Sequence, residues 1–349
     1  MQTYRVILSG LGNVGRSFLE LIPSQADVLA SRYGVSLLVV GAVDSGGAAL
    51  NPSGLDVETL LATKRAKRSV ASLAGVGLPG MSAVDLIQQA PADVLLESTL
   101  TNLNDGQPGL DVIRTALQRG MGVVSANKGP LVLAYDELIA LAQQSGTSRL
   151  RYSACVGGYL PTVNIGQRDL VGARIERIEA VLNGTTHGIL RAMEAGTSYE
   201  EALAEMQGRG IAEADPTLDV EGWDATNKLV ILANAVLRQA TKLADVQREG
   251  ITRLTIDELR EATKQNTRIV LLCLAEYADG DYRLSVRPTA LPLDHPLARM
   301  GGDEMGIVYY TDIGGRTSVT TLERGPKPTA AAMLRDLIDL RATEAGNIH

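Results

Sequence analysis

The sequence predicts an α/β protein in which a doubly wound parallel sheet is followed by a second, α+β domain. Through the first 155 residues, near-continuous runs of Val, Leu and Ile alternate with amphipathic helical segments, which is the pattern of a parallel sheet covered by helices on both faces. From about residue 156 the rhythm changes, and segment 173–182 alternates apolar with polar residues, as an antiparallel strand with one solvated face does. A length of 349 residues accommodates two such domains.

The first domain is predicted to contain parallel strands separated by helices. Pro23 breaks the first helix, so that residues 24–34 form a separate helical piece. The Gly- and Pro-rich segment 42–54 is expected to be a loop. The predicted strands are 4–9, 35–43, 93–98, 122–126 and 150–154, and further helices are predicted at 56–67, 82–90, 109–120 and 133–144.

The second domain is predicted to mix antiparallel strands with helices, and 291–306 is its Gly- and Pro-rich loop. The final helix has a Pro near its first turn, where the missing N–H does no harm. We expect a first domain of residues 1–155, completed by 310–349, and a second domain of 156–309. The predicted strands of the second domain are 173–182, 268–278 and 282–291, and helices are predicted at 200–207, 226–237, 255–266 and 328–342.

The composition excludes several classes of protein. The net charge is −7 and no basic stripe is present, which argues against a nucleic-acid partner. The longest apolar runs are of strand length, far short of the ~20 residues of a membrane span, and the N-terminus enters a strand without a signal-peptide layout. Cys155 and Cys273 are too far apart for a metal-binding motif. We therefore expect a cytoplasmic protein without a nucleic-acid or membrane partner.

A glycine motif follows the first strand. Gly10, Gly12 and Gly15 form G-x-G-x-x-G at a strand-to-helix turn; the first makes the tight turn, the second admits a pyrophosphate, and the third lets helix and strand pack closely. The helix that starts with Asn13 and Val14 offers free N–H groups and the positive end of its dipole to phosphates. The context of strand, turn and helix predicts a dinucleotide site rather than an empty Gly-rich turn.

The second strand runs to Asp44, whose carboxylate would bond a ribose hydroxyl and repel a 2′-phosphate. The distance from Gly15 to Asp44 is longer than usual, which the extra helical piece after Pro23 explains. Lys64 lies on a helix that is otherwise a solvated basic face, but it could reach a 2′-phosphate. The sequence leaves the choice between NAD and NADP open.

Two further strand ends carry polar residues at the edge of the sheet where ligands bind. The end of one strand and the segment after it, "LLESTLTN", supply Glu97, Ser98, Thr99 and Asn102, and Asn127 and Lys128 follow another strand in "SANKGPL". An ordinary surface turn would also explain a Lys at that position. Its location at the predicted ligand edge favours a role in the site.

Segment 212–228, "AEADPTLDVEGWDATNK", combines several carboxylates with one Lys. Asp224 and Lys228 are one turn apart on a helix that continues as "LVILANAVL" and must be largely buried. A surface ion pair would be the simplest explanation. Since a buried helix would aim these charges at a cleft, we instead expect Lys228 and Lys128 to be an acid/base pair. Glu213, Asp219 and Asp224 would then bind a cationic group or orient the lysines. The residues alone indicate a dehydrogenase of a small amino-bearing alcohol.

The chain resembles the homoserine dehydrogenase family over nearly its whole length. The resemblance implies a Rossmann-type domain with a substrate-binding and dimerisation domain, and NAD(P)-dependent interconversion of L-homoserine and L-aspartate 4-semialdehyde in threonine and methionine biosynthesis. The stretches that carry it are "GLGNVG", "SANKGPL", "CVGGYLP" with "VLNGTTHGILRAM", and "GIAEADPTLDVEGWDATNKLVILA".

By the same resemblance, Lys228 is similar to the catalytic proton donor and acceptor of the family. Lys128 is similar to a second lysine near nicotinamide and substrate. Glu213 corresponds to the residue that holds the substrate amino group, and Asp219 and Asp224 to acids that contact the substrate or the catalytic lysine.

The resemblance also implies a sodium ion bound by main-chain carbonyls, here those of Ser153, Val156, Gly158 and Leu160. The family often has Glu at the position of Ser153, which a carbonyl ligand tolerates. Gly325 would lie near the nicotinamide, although Gly-Pro-Lys stands where the family usually has Gly-Ala-Gly.

The family forms dimers through the sheet of the substrate domain, so a homodimer is expected, with segments 173–182 and 271–277 contributing. A chain of 349 residues has room for neither a fused kinase nor a C-terminal regulatory domain, and no built-in threonine feedback is expected.

Two alternatives are another oxidoreductase of an amino-acid semialdehyde and a dinucleotide-binding sensor without turnover. The first leaves the segment around Lys228 unexplained. The second would not need both lysines and the three acids.

Overall fold

The computed structural model describes residues 1–144, 149–212 and 214–344, with only the backbone of 341–344. The chain forms two compact units. One joins Met1–Cys155 to the segment from Pro326 onward, and the other is Val156–Gly325. In the part of the chain that is described, no helix is both long and apolar enough to cross a membrane.

The first unit is built on a mixed sheet with a parallel centre. The strand order is β4-β3-β2-β1-β5-β6-β7. Within the stretch β2-β1-β5-β6-β7, each strand pairs in parallel with the next. The order reverses between β1 and β5, which makes this the switch point of the sheet. The strands are β1 (Gln2–Ser9), β2 (Val35–Asp44), β3 (Gly47–Leu50), β4 (Gly77–Pro79), β5 (Val94–Glu97), β6 (Gly122–Ser125) and β7 (Leu150–Arg151).

Three helices of this unit begin at a residue whose side chain caps the first turn. Asp56, Ser82 and Asn127 each accept a hydrogen bond from an N–H in the first turn of the helix that follows, as N-caps do. Pro23 lies in the last turn of the first helix. The helices are α1 (Asn13–Ser24), α2 (Ala26–Tyr33), α3 (Val57–Arg65), α4 (Ala83–Gln89), α5 (Gly109–Gln118), α6 (Lys128–Leu133) and α7 (Tyr135–Gln143).

Segment 42–54 is not the loop that the sequence predicted. β2 turns back at Gly47 and pairs antiparallel with β3, which pairs in turn with β4. Gly47 has φ +133°, so a residue without a side chain is needed at this bend. The residues of β3 are mostly Gly and Ala and carry no apolar alternation, which is why the pattern did not reveal it.

The second unit contains a six-stranded sheet in the order β13-β12-β8-β10-β11-β9. Its pairs are antiparallel except β11 with β9. The strands are β8 (Ile175–Val181), β9 (Val246–Arg248), β10 (Thr267–Ala278), β11 (Asp281–Pro292), β12 (Glu304–Thr311) and β13 (Gly315–Leu322), and the helices are α8 (Thr162–Asn164), α9 (Gly184–Glu194), α10 (Tyr199–Gly208), α11 (Thr217–Val220), α12 (Trp223–Leu232) and α13 (Ile256–Lys264).

The predicted fold class, a Rossmann-type sheet with a second α+β unit, is confirmed. The expected boundary at residue 310 is wrong. β12 and β13 form an antiparallel hairpin on the second sheet, so residues up to Gly325 belong to the second unit. β13 is rich in Thr and Ser and half exposed, so it lacks the apolar signal of a core strand.

The last helix, α14 (Lys327–Glu344), returns to the first unit. Its apolar residues Ala330, Met333 and Leu337 join the same core as β1 and α1. Asp339 forms an ion pair with Arg151 at 2.8 Å. The first unit is therefore assembled from both ends of the chain.

Candidate active site

The glycine turn has the geometry that a bound pyrophosphate requires. Gly10 has φ +87°, and a Cβ there would lie 2.6 Å from backbone atoms of Ser98 and Thr99. A Cβ at Gly15 would collide with the carbonyl oxygen of Gly10, whereas space around Gly12 is open. The turn is thus closed on the protein side and accessible at Gly12, and these residues fit a dinucleotide.

The first turn of α1 supplies the donors for phosphate. The helix starts at Asn13, and its N-cap Gly12 offers no side-chain cap. N–H groups of the first turn of a helix, here those of Asn13, Val14 and Gly15, have no acceptor within the helix. They can bind phosphate oxygens at the positive end of the dipole.

Asp44 and Lys64 lie together at the end of β2. The Lys64 Nζ is 2.5 Å from Asp44 Oδ2, and the two side chains are 17% and 8% exposed. Ser69 Oγ donates to Asp44 Oδ1 at 2.6 Å. Burial would raise the pKa of Asp44, but hydrogen bonds from Lys64, Ser69 and two backbone N–H groups hold it below its ordinary value. Lys64 therefore pairs with the acid at the end of β2 instead of facing solvent.

The residues after β5 and β6 are fixed by hydrogen bonds. Ser98 Oγ donates to Gly10 O at 2.9 Å, which connects the end of β5 to the glycine turn. Lys128 is the first residue of α6, and Asn127 is its N-cap. Burial raises the pKa of the Cys155 thiol to about 12, while Lys128 acts in the opposite direction. The charge of Lys128 thus lies near this buried thiol, and the thiol is too weakly acidic to react as a thiolate.

In the second unit, Lys228 is held at the start of a buried helix. Its Nζ donates to Asp224 Oδ2 at 2.6 Å and to Leu182 O at 2.5 Å. The side chains of Lys228 and Asp224 are 12% and 16% exposed, so this is no ordinary surface pair. Every residue from Leu229 to Leu232 is buried, as the sequence predicted.

Asn183, which was not predicted as a site residue, joins the two acids of this cluster. Its Nδ2 donates to Asp219 Oδ1 at 2.7 Å and to Asp224 Oδ2 at 2.9 Å. Its Oδ1 caps α9 by accepting from Thr186 N at 2.8 Å. The signal was available, because Asn183 directly follows a predicted strand, as Asn127 does.

The second acid, Asp219, is largely buried. Burial raises the pKa of Asp219, and the negative charge of Asp224 adds to this effect, against hydrogen bonds from Asn183 and Thr185 and the charge of Lys228. Two acids and one cation therefore share a small polar volume in which a further cation would be favoured. Glu213, the other predicted member, lies outside the described residues.

The predicted carbonyl ligands lie on both sides of the unit boundary. Ser153, in the first unit, donates through N and Oγ to Asp336. In the second unit, Val156 O and Leu160 O accept hydrogen bonds from Thr162 Oγ1 and N. Within the second unit, Val156 O and Leu160 O each keep a second lone pair, and carbonyl oxygens of this kind suit a hard cation.

Gly158, predicted as a carbonyl ligand, and Gly325, predicted near the nicotinamide, both have positive φ. Gly158 has φ +56° and Gly325 has φ +70°. Tyr159 N, next to Gly158, donates to the Glu323 carboxylate at 2.7 Å. Among the described residues no group of three or more His, Cys, Asp or Glu side chains could hold a metal.

A glycine turn at the switch point, an acid at the end of β2 and a lysine–carboxylate cluster define an NAD(P)-dependent oxidoreductase. The family model described as homoserine dehydrogenase matches residues 161–338. The NAD(+)-dependent homoserine dehydrogenase of Pseudomonas canavaninivorans is 35% identical over 97% of each chain. The homoserine dehydrogenase of Methanocaldococcus jannaschii is 37% identical over 96% of this chain and 98% of its own.

Comparison with a solved structure also indicates similarity to homoserine dehydrogenases. The homoserine dehydrogenase of Thiobacillus denitrificans has a TM-score of 0.83 at 31% identity, covering 100% of this chain and 76% of its own. The chain belongs to the homoserine dehydrogenase family. The predicted class of enzyme, an NAD(P)-dependent oxidoreductase, is confirmed.

Proposed function

We propose that this protein interconverts L-homoserine and L-aspartate 4-semialdehyde, with Lys228 as the proton acceptor and donor. The observation that carries the proposal is the fixed position of Lys228 Nζ, between Asp224 Oδ2 and Leu182 O. A Lys has three N–H directions. Two of these N–H directions of Lys228 have acceptors among the described residues. The third direction is left for the oxygen of a substrate.

The chemistry follows from this arrangement. The bound nicotinamide supplies the hydride acceptor for oxidation of the carbinol. Lys228, as the amine, accepts the hydroxyl proton during oxidation, and as the ammonium it donates that proton to the aldehyde oxygen during reduction. Asp224 keeps Nζ in place through both steps.

The acids suit the α-ammonium group that both substrates carry. Asp219 and Asp224 are held together by Asn183, and a substrate ammonium would relieve the repulsion between them. Glu213 would add a third carboxylate. Lys128 would assist next to the nicotinamide, since it begins the helix at the ligand edge of the first sheet.

A direct assay tests this function. Purified protein is mixed with L-homoserine and with either NAD+ or NADP+, and the absorbance of the reduced cofactor is followed. We expect the absorbance to rise with at least one cofactor. A flat trace with both, from protein shown to be folded by circular dichroism, would reject the proposal.

We further propose that NAD+ is preferred to NADP+. The Asp44 carboxylate is held by several donors and Lys64 is already paired with it, so a 2′-phosphate would face a fixed acid. A relative whose name specifies NAD(+) supports this choice.

The cofactor preference is tested with Asp44→Asn. This variant keeps an acceptor for Ser69 but frees Lys64, so the ratio of kcat/KM for NAD+ to that for NADP+ should fall. Asp27→Asn, at an exposed site of the same unit, should leave the ratio unchanged. An unchanged ratio in Asp44→Asn would contradict the assignment.

The remaining features of the proposal come from the family. They are a role in threonine and methionine biosynthesis, cytoplasmic location, a homodimer, and a sodium ion on the carbonyl oxygens named above. Rates in NaCl compared with choline chloride at equal ionic strength test the ion.

A further inference from the structure

Glu97 is a buried acid that the proposed mechanism does not use. It is the last residue of β5 and is fully buried. Its register neighbours are Ser9 on β1 and Ser125 on β6, so it lies at the switch point of the sheet. A carboxyl group removed from water at such a place is unfavourable unless other groups bond to it.

One oxygen of Glu97 joins the segments that follow two strands. Its Oε1 accepts from Thr99 N at 2.9 Å, from Thr99 Oγ1, and from Asn127 Nδ2 at 3.3 Å. Asn127 Nδ2 also donates to Thr99 Oγ1 at 3.0 Å. Thr99 follows β5 and Asn127 follows β6, so this single atom holds both segments at the ligand edge.

The connection continues to Lys128. Asn127 is 1% exposed, and its Oδ1 accepts from Gly129 N at 3.1 Å as the N-cap of α6. A Cβ at Gly109 would lie 2.5 Å from Asn127 Nδ2, so the amide packs closely against a backbone position that only Gly can occupy without a clash. The orientation of Asn127 therefore determines where α6, and with it Lys128, begins.

The other oxygen of Glu97 has no such function. Among the described residues, neither Glu97 Oε2 nor the neighbouring Ser9 Oγ has a hydrogen-bond partner. Ser9 is near enough to favour the ionised form of Glu97, yet the two groups do not meet in hydrogen-bond geometry. Burial raises the pKa of Glu97, although its polar neighbours Thr99, Ser9 and Asn127 act in the opposite direction. The donors from Thr99 and Asn127 all bond to Oε1. An amide oxygen at this position could accept these hydrogen bonds equally well.

We propose that Glu97 is a positioning residue for the dinucleotide reaction. Its Oε1 fixes Thr99 and Asn127, and through Asn127 it fixes Lys128. The role depends on an acceptor at this point and not on negative charge. The kinetic part of its test rests on the proposed dehydrogenase function, whereas the structural and binding parts do not.

The test compares Glu97→Leu, which removes the acceptor, with Glu97→Gln, which keeps it. Ser9→Ala is the matched control, because it alters a buried polar side chain in the same layer that holds neither segment. Amide hydrogen exchange at Thr99 and Gly129, NADH binding by calorimetry, and kcat with both KM values are measured for each folded variant.

Glu97→Leu should speed exchange at both amides and lower NADH affinity and kcat at least about tenfold, as expected for a lost hydrogen bond to a buried charged or polar group. The KM for homoserine should stay unchanged. Glu97→Gln and Ser9→Ala should behave like wild type in every measurement.

Two results would overturn the inference. One is a folded Glu97→Leu protein with wild-type exchange, binding and kcat. The other is a Glu97→Gln protein as impaired as Glu97→Leu, which would mean that charge, and not an acceptor, matters. A wild-type protein that binds NADH but does not oxidise homoserine would reject the proposed function alone, and exchange and binding would still decide the role of Glu97.

Discussion

The ammonium of Lys228 has two fixed acceptors in its own unit, so its replacement should affect the chemical step. Lys228→Ala is expected to lower kcat by roughly 100- to 10,000-fold, the range of general acid/base contributions, with cofactor affinity unchanged. Lys228→Arg should be nearly as inactive, because a guanidinium keeps the charge but does not release its proton. Steady-state kinetics check this.

Lys264→Ala provides the control for Lys228, since its side chain is 74% exposed in the same unit. It should have wild-type kinetics. Equal losses of kcat and of cofactor affinity in Lys228→Ala would point to a structural lysine and contradict the assignment.

Asn183 caps α9 and also bridges Asp219 and Asp224. One substitution separates these two functions. Asn183→Asp keeps the oxygen that caps α9 but cannot donate to Asp219 and Asp224, and it adds a negative charge. Hydrogen bonds to charged groups contribute ~1.5–3 kcal/mol each. We therefore expect kcat/KM for homoserine to fall roughly 10- to 100-fold or more, with NADH affinity unchanged, as measured by kinetics and calorimetry.

Ser198→Asp is the matched control for Asn183→Asp. Ser198 is the N-cap of α10 in the same unit, so the same change of capping residue should leave kcat/KM as it is. If Asn183→Asp also had wild-type kcat/KM, the amide bridge would have no role in the reaction.

Residue types at strand ends were readable from the sequence, but their partners were not. The sequence placed Asp224 and Lys228 on one face because helical spacing is fixed. It could not pair Asp44 with Lys64, which approach each other only when α3 packs beside β2. For the same reason, Asn183 was visible as a strand-end residue but its bridge to two acids, far along the chain, was not.

At the level of elements, the contact between α14 and the chain after β7 should make stability depend on pH. Burial raises the pKa of Asp336 from 3.8 to about 6, despite hydrogen bonds from Ser153. The folded state therefore favours the neutral form of Asp336. The contribution of this preference to folding stability is fully present below the unfolded pKa and is lost as pH rises through about 6. Asp336→Asn should gain stability relative to wild type by up to ~3 kcal/mol between about pH 4 and about pH 8.

Denaturant unfolding at several pH values measures this difference. Asp339→Asn, which removes a carboxylate from the same helix at a site with 39% side-chain exposure, is the control. A stability difference between Asp336→Asn and wild type that is constant over the range would contradict the prediction.

Most elements with a strong pattern were predicted, although β12 with its buried apolar run was not, and β3 and β13, which lack such a pattern, were missed. The buried parallel strands and amphipathic helices follow from Val/Leu runs and 3.6-residue spacing. β3 consists of Gly, Ala and Leu, and β13 of Thr, Ser and other half-exposed residues. Both depend on a neighbouring strand for their conformation, which is tertiary information that no local pattern contains.

On the scale of the whole molecule, the position of β8 constrains the proposed dimer. β8 is an interior strand between β12 and β10, so an interface that includes it must use a face of the sheet. Leu274 of β10 is half-buried and lies opposite Glu179 in register. We expect light scattering to give twice the mass of the chain for wild type, and a lower mass for Leu274→Glu.

Val28→Glu is the control for the dimer, because it introduces the same charge at an apolar residue that is 40% exposed in the first unit. It should keep the wild-type mass. A wild-type mass equal to one chain would reject the homodimer.

The first unit takes its core from both ends of the chain, and this sets the order in which a ribosome can release folded structure. Val156–Gly325 is continuous, so all of its residues leave the ribosome before those of α14 do. The nucleotide-binding half, although its strands are made first, stays unfinished until α14 has emerged. Until α14 has emerged, the apolar surface of β1 and α1 that it covers in the folded unit stays open to any chaperone that meets the nascent chain.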